Sequence, residues 1–291
     1  QQKLSKEILK KAKSLGFSDK KIAKLTGKTE SEIRKIRKDW GIVPVVKIIP
    51  TARRWSSEAN YLYLTYNSDS DDIEFKDKQK IIVLGSGCYR IGSSVEFDWC
   101  CVNAAWALKE KGVKEVIMIN CNPETVSTDF DVLDKLYFEE LTLERILDIV
   151  EKEKPQGVLL SVGGQTPNNL ALKLAKNKVK ILGTSAKNKD RAEDRAKFSK
   201  LLDKLGIKQP EWKKLESLKD IINFAGEIGY PVLIRPSYVL SGAAMKVAFD
   251  EEQLKDYIKE ATKVSREHPV VVSKFLLGAK EVEVDAVSDG K

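Results

Sequence analysis

Histidine is almost missing from this chain: His268 is the only one among 291 residues. The four cysteines, Cys88, Cys100, Cys101 and Cys121, form no CxxC pair. Nothing therefore suggests a zinc site. Cys100-Cys101 falls in an apolar helical pattern and reads as buried free thiols, and reduced thiols fit a cytoplasmic location. No apolar run reaches about 18 residues, so a membrane-spanning helix is not expected. The opening residues Gln1-Gln2-Lys3-Leu4-Ser5-Lys6 lack the apolar centre of a secretory signal. No Walker lysine motif occurs either, which excludes a P-loop as a phosphate binder.

What is present is an ordinary globular composition, 42% hydrophobic and 32% charged. The length suffices for two domains, or three small ones. The net charge of +8 is unevenly spread. Residues 1–54 hold 16 Lys and Arg against five Asp and Glu, or +11, leaving 35 against 38, or −3, for the remainder. The basic character belongs to one N-terminal module, which argues against a chain built throughout to bind nucleic acid.

Residues 4–38 have the spacing of three short helices, stopped by Gly16 and Gly27, with Thr29 and Glu32 placed as a cap. A linker with Pro44 and Pro50 follows, then the aromatic stretch Tyr61-Leu62-Tyr63-Leu64-Thr65-Tyr66 and a polar, turn-rich boundary at 67–72. From residue 79 strands alternate with helices. The expected strands are 80–84, 116–120, 157–161 and 179–182, and the helices 95–111, 143–153 and 168–176. Short apolar runs separated by helices predict a parallel, doubly wound α/β sheet. After residue 190 an α+β unit is expected. Its helices would span 191–205 and 217–228, and its strands 232–235, 244–249, 270–275 and 281–287.

Four features could carry chemistry. The basic third helix, with Arg34, Lys35, Arg37 and Lys38, would suit a DNA groove. No basic arm or dimer element accompanies it, which favours a small helical domain. The turn Gly85-Ser86-Gly87-Cys88-Tyr89-Arg90-Ile91-Gly92 sits where a dinucleotide fingerprint would. Arg90 holds the third glycine position, and Asn120-Cys121-Asn122 stands where a ribose-binding acid is needed, so NAD is not expected. The polar loops Asn122-Pro123-Glu124-Thr125-Val126-Ser127-Thr128-Asp129 and Gly163-Gly164-Gln165-Thr166-Pro167 should share the C-terminal edge of the sheet and make a polar cleft there.

The fourth feature weighs most. Arg235 ends an apolar strand before Pro236 and needs a phosphate or carboxylate partner if buried. The small-residue loop from Ser237 through Gly242 can bring backbone N–H groups to a phosphate. Glu281-Val282-Glu283-Val284-Asp285 would place three acids on one strand face.

These motifs carry a resemblance to the large (synthetase) component of carbamoyl-phosphate synthetase. It rests on residues 85–98, on Cys121-Asn122-Pro123-Glu124-Thr125-Val126-Ser127-Thr128-Asp129, on Asp190-Arg191-Ala192-Glu193-Asp194-Arg195, and on Arg235-Pro236-Ser237-Tyr238-Val239-Leu240-Ser241-Gly242. That family has two homologous ATP-grasp halves, and residues 123–127 and 239–242 resemble the second, which phosphorylates carbamate. The resemblance implies three parts. Residues 1–66 would be the end of a helical oligomerisation domain with its linker. Residues 79–189 would be a Rossmann-like pre-ATP-grasp α/β domain, and residues 190–291 the first part of an ATP-grasp domain.

It further implies that Arg195 and Arg235 hold the nucleotide phosphates and stabilise charge during transfer. Ser241 and Gly242 would lie in the loop over those phosphates. Lys274 to Leu276 would pair the adenine edge, and Glu281 would accept from the ribose hydroxyls. Glu96 and Glu124 resemble acids bordering the passage that carries carbamate between the halves. The cofactors would be ATP and Mg²⁺ or Mn²⁺, with the metal ligands expected downstream of residue 291, so this segment is not expected to be active alone. The partners would be carbamate, the rest of the synthetase, and a glutaminase subunit or domain, in an oligomer without nucleic acid or membrane. Residues 49–55 depart from the family's usual stretch at the domain junction. The rival readings are another, carboxylase-like ATP-grasp ligase, and a helix-turn-helix DNA-binding or interaction module.

Overall fold

The computed structural model describes residues 4–49, 61–90, 93–129, 131–236, 245–264 and 270–289. Two compact units divide between Asp190 and Arg191.

The first unit opens with α1 (Lys6–Ser14), α2 (Asp19–Thr26) and α3 (Glu30–Asp39). The hydroxyls of Ser5, Ser18 and Thr29 accept from the amides of Ile8, Lys21 and Glu32, and Thr29 with Glu32 completes a capping box. Each such cap stabilises its helix by about 1 kcal/mol. Leu9, Ile22, Ala23, Ile33 and Ile42 close a small apolar core between them.

The linker and the aromatic stretch supply β1 (Val45–Ile48) and β2 (Tyr61–Thr65), an antiparallel pair. Then come β3 (Lys80–Leu84), α4 (Val95–Glu110), β4 (Glu115–Asn120), a 3-10 turn at Val126–Thr128, β5 (Lys135–Phe138) and α5 (Leu143–Glu153). β6 (Gly157–Leu159), α6 (Gln165–Asn168), α7 (Ala171–Lys176) and β7 (Ile181–Leu182) follow. Among the described residues these strands make one sheet in the order β1-β2-β5-β4-β3-β6-β7, parallel from β2 onward. The order reverses at β3, the switch point of a doubly wound sheet. Ile82 and Leu84 face the core shared with α5 and α7, while Val83 faces the one shared with α4. Burial on both faces explains why β3 reads as an unbroken apolar run after Lys80.

Two buried charge networks brace this unit. At the strand starts, Lys80 reaches Glu153 at 2.7 Å, and Lys135 reaches Glu153 at 3.0 Å and Glu115 at 3.2 Å. The Tyr137 hydroxyl also donates to Glu153. On the other side, α5 presents Glu144, Asp148 and Glu151 to the helical module. Glu144 pairs with Lys13, Asp148 with Arg34 at 2.6 Å and Arg37 at 2.9 Å, and Glu151 with Lys38 at 2.9 Å. Three of the basic residues that invited a DNA reading are thus paired within the protein: Arg34 and Arg37, and at the exposed rim Lys38, attach the module to α5.

α8 (Ala186–Glu193) straddles the division, and the second unit continues with α9 (Arg195–Lys204), β8 (Trp212–Leu215) and α10 (Leu218–Ile228). β9 (Val232–Pro236), β10 (Lys246–Ala248), α11 (Glu251–Val264) and β11 (Val270–Lys274) complete it. The strands form an antiparallel sheet in the order β10-β9-β11-β8. Val232, Ile234, Val270 and Val272 pack under Ile221, Phe224 and Ala225 of α10 and Leu254 and Ile258 of α11.

The expected strand at 281–287 is a correction. Those residues form no strand, and Val282, Val284 and Val287 are 77%, 83% and 103% exposed. Alternation of acid and valine specifies a strand only where a neighbour takes the backbone groups and a core takes the valines. Among the described residues this segment has neither.

Candidate functional site

The sheet of the second unit buries one face under α10 and α11, and its other face floors a cleft of about 280 Å³. Strand alternation decides which side chains arrive there. On β9, Val232 and Ile234 enter the core while Leu233 and Arg235 turn to the cleft. On β11, Val271 and Ser273 do the same, with Val271 opposite Arg235 in the antiparallel register. Trp212 of β8 extends the apolar floor, and Phe275 and Leu276 lie beyond the end of β11. Arg195 reaches the same cleft from the first position of α9. It stands there because Asp194 caps α9, accepting from the Lys197 amide at 3.0 Å, so the run 190–195 spans a junction between two helices.

The electrostatics of this cleft are one-sided. Arg235 is half-buried, and its Nε atom, shielded from solvent, has no hydrogen-bond partner among the described residues. Burial first, and the Arg195 charge second, pull its pKa below the usual arginine range. Arg195 itself touches the Met245 sulfur at 3.7 Å. Two guanidinium groups beside an apolar floor form a site for a ligand with an anionic end and a flat apolar end.

The remaining candidates are placed as follows. Lys274 lines the cleft, but its ammonium donates to the carbonyls of Gly229 at 3.0 Å and Tyr230 at 2.8 Å. The amides of Lys274 and Phe275 donate to the carbonyls of Glu211 and Pro231. Glu281 is exposed on the unpaired segment described above. Ser241 and Gly242 lie outside the described residues. The floor residues Trp212, Val271 and Ser273 were not singled out by sequence reasoning. The only signal available was alternation within 270–274, and a run of three valines conceals which of them faces out.

In the first unit, Glu96 lies exposed in the first turn of α4, where the Ser94 hydroxyl holds its carboxyl below the usual range. Glu124 is exposed in the loop after β4, with its amide donating to Asn122 at 3.1 Å. The parallel topology puts both at the C-terminal edge of the sheet.

Between β3 and β6 that edge is closed. A β-carbon on Gly163 would fall 2.5 Å from the Leu84 carbonyl oxygen, so two backbones meet where a dinucleotide phosphate would need room. Arg90 bridges the same gap to Thr166 at 3.0 Å. Buried Asn120 accepts from the amides of Gly87 and Cys121 and donates to Ser127, at 3.0, 2.9 and 3.0 Å. The residue standing where a ribose acid was needed therefore ties the loops together.

Among the described residues no group of three or more His, Cys, Asp or Glu could hold a metal ion, and no helix is long and apolar enough to cross a membrane.

Comparison with known proteins follows the same division. Residues 1–41 match the carbamoyl-phosphate synthetase large chain oligomerisation domain, residues 77–191 the carbamoyl phosphate synthase preATP-grasp domain, and residues 194–291 the ATP binding domain of the carbamoyl-phosphate synthase L chain. The chain is 57% identical over 98% of its length to the mitochondrial arginine-specific carbamoyl phosphate synthase large chain of Neurospora crassa, covering 24% of that protein. It is 56% identical to the mitochondrial carbamoyl-phosphate synthase [ammonia] of Mus musculus and 53% identical to the multifunctional protein URA2 of Saccharomyces cerevisiae, over 98% and 97% of its length and 19% and 13% of theirs. The chain thus spans a quarter or less of these relatives. Among solved structures, the biotin carboxylase domain of the Hydrogenobacter thermophilus 2-oxoglutarate carboxylase, in complex with MgADP, ADP and bicarbonate, superposes with a TM-score of 0.53 at 19% identity. That match covers 69% of this chain and 45% of that one, and it describes the fold alone.

Proposed function

Because the chain belongs to the carbamoyl-phosphate synthase large-chain family, we propose that its second unit binds the phosphates of ATP in the half of the enzyme that phosphorylates carbamate. In the intact enzyme the products are carbamoyl phosphate and ADP. The observation that carries this reading is the unpartnered, buried Nε of Arg235 beside Arg195, over an apolar floor. A protein that buries a cation without an anion leaves a free-energy cost that a ligand phosphate removes.

ATP fits the residues present: the guanidinium groups of Arg235 and Arg195 would take phosphate oxygens, and Trp212, Leu233 and Val271 would pack on the base. The two guanidinium groups would oppose the negative charge that grows on the phosphate oxygens as the phosphoryl group moves. Among the described residues a divalent ion finds no set of acids; its ligands are expected in the part of the longer relatives that this chain does not span. Ser241 and Gly242 would cover the phosphates, the backbone at Lys274 to Leu276 would meet the adenine edge, and Glu281 would close on the ribose once that segment is paired. Glu96 and Glu124 would border the carbamate passage at the sheet edge.

On this reading residues 1–66 end an oligomerisation domain with its linker, 79–189 precede the ATP-grasp fold, and 190–291 begin it. The rest of the synthetase and a glutaminase part would complete the enzyme within an oligomer. The mouse relative's name, with ammonia as its nitrogen source, sets the alternative to glutamine. Free thiols fit a reducing compartment, the cytoplasm being the reading from sequence, while the N. crassa and mouse relatives are named as mitochondrial.

The test is Arg235→Ala in the full-length synthetase, assayed for ATP formation from ADP and carbamoyl phosphate. Loss of a donor aimed at developing charge lowers the rate about 10²–10³-fold. Unchanged reverse activity would remove Arg235 from the site.

A further inference from the structure

Two thiols at the C-terminal edge of the first unit take no part in nucleotide binding. β3 and β4 are parallel neighbours with Leu84 opposite Ile119, so the chain leaves both strands side by side. Cys121 directly follows β4, and Cys88 lies four residues beyond the end of β3. One oxygen, Asn120 Oδ1, accepts from the amide of Gly87 at 3.0 Å and from that of Cys121 at 2.9 Å, which fixes the two backbones against each other. Gly87 has φ +74, and a β-carbon built on it would lie 3.9 Å from Cys121 Sγ. The next Cα is about 3.8 Å along the chain. The Cys121 sulfur therefore lies against the turn that carries Cys88. Cys88 is exposed and Cys121 half-buried, whereas Cys101 is buried against the Leu84 carbonyl.

We propose that Cys88 and Cys121 form a modification site, a dithiol that closes to a reversible disulfide on reaction with a small-molecule disulfide such as glutathione disulfide. The exposed Cys88 thiolate attacks one sulfur of glutathione disulfide. A Cys88–glutathione bond forms, and the first glutathione leaves as a thiolate that takes up a proton. Cys121 then gives its proton to solvent and attacks the Cys88 sulfur, forming the internal bond and expelling the second glutathione. The protein thiols lose two electrons and two protons, and the oxidant becomes two thiols.

The order follows from the surroundings. Burial first, and the adjacent Cys88 thiol second, push the Cys121 thiol up to about 11. It reacts only once its target is held against it, where proximity replaces acidity as the source of rate. Closure fastens the turn after β3 to the loop that carries Glu124.

The experiment treats the purified chain with glutathione disulfide, blocks remaining thiols with iodoacetamide, and maps peptides without reductant. The expected result is a Cys88–Cys121 cross-linked peptide pair, loss of alkylation at both, no link to Cys100 or Cys101, and full recovery after dithiothreitol. Cys121→Ser should stop at the Cys88–glutathione adduct. Cys88→Ser removes an exposed side chain, so its circular dichroism should match the unaltered chain, and its Cys121 should stay alkylatable. A persisting glutathione adduct on Cys88 in the unaltered chain, or alkylation of both thiols after oxidant, would overturn the proposal.

Discussion

Arg37 and Arg235 are both withdrawn from solvent, but they keep opposite company. Arg37 is fully buried between Asp19 at 2.8 Å and Asp148 at 2.9 Å, with the Tyr66 ring 5.9 Å away. Arg235 has an unbonded, buried Nε, and the charge that acts on it is another arginine, Arg195. In the first unit the fold supplies the anions for its cations, and Lys13, Lys80 and Lys135 repeat the pattern. In the second unit Arg235 meets no carboxylate among the described residues. Burial of charge alone therefore does not distinguish the two arginines; the sign of the neighbouring charge does.

The largest effect breaks this contrast on the structural side. Arg37→Met leaves Asp19 with Lys13 alone at 3.0 Å and Asp148 with Arg34 alone at 2.6 Å, and removing one partner from a buried charge network costs about 3 kcal/mol. Arg235→Met removes a cation that no described carboxylate needs, so stability should be unchanged or slightly raised. Urea denaturation of the two variants measures the difference. Equal losses would mean that Arg235 also has a structural anion, and the contrast would fail.

The same contrast explains what the sequence disclosed. Arg235 was legible because a cation ending the apolar run Val232-Leu233-Ile234 before a proline is a local anomaly. β3 was legible because the four apolar residues after Lys80, Ile81 to Leu84, are all buried and leave no polar phase to misread. β5 was not: it begins with Lys135, and nothing near it in the chain announces that Glu153 and Glu115 neutralise that charge. Arg34, Arg37 and Lys38 looked like a solvated or DNA-facing surface because the acids that absorb them are more than a hundred residues away. The segment 281–287 was over-read, since its alternation records what a strand would bury without saying against what. Local pattern was thus sufficient where it matched a core that is present, and insufficient where the partner was a distant charge or, at 281–287, missing among the described residues.

A smaller effect sharpens the comparison through pH. Burial alone would raise the Glu144 carboxyl, but the Lys13 ammonium and the Asp19 amide outweigh it and hold the group below its ordinary 4.5. The folded protein thus binds this proton less readily than the unfolded chain. Its stabilisation is complete above pH 4.5 and is lost as pH falls through the lower, folded value. Glu144→Gln should cost about 1.5–3 kcal/mol near neutral pH, the contribution of hydrogen bonds to charged groups. The gap between the two stability curves should narrow in acid. Parallel curves from neutral pH down to acid unfolding would show that Glu144 is not the anion that matters to Lys13.

The smallest effect lies at the rim of the same interface. Lys38 and Glu151 pair at 2.9 Å with side chains 42% and 46% exposed. Water screens both charges, and fixing two long side chains has an entropic cost, so Lys38→Ala should change stability by no more than about 0.5 kcal/mol. Raising the salt concentration should erase even that difference, while leaving most of the Arg37→Met deficit in place, because buried pairs are screened far less. The helical module would then be shown to hold to α5 through the few charges that lost their water, not through its +11 excess as a whole. A large, salt-sensitive loss at Lys38 would reverse that conclusion and make attachment a matter of net charge.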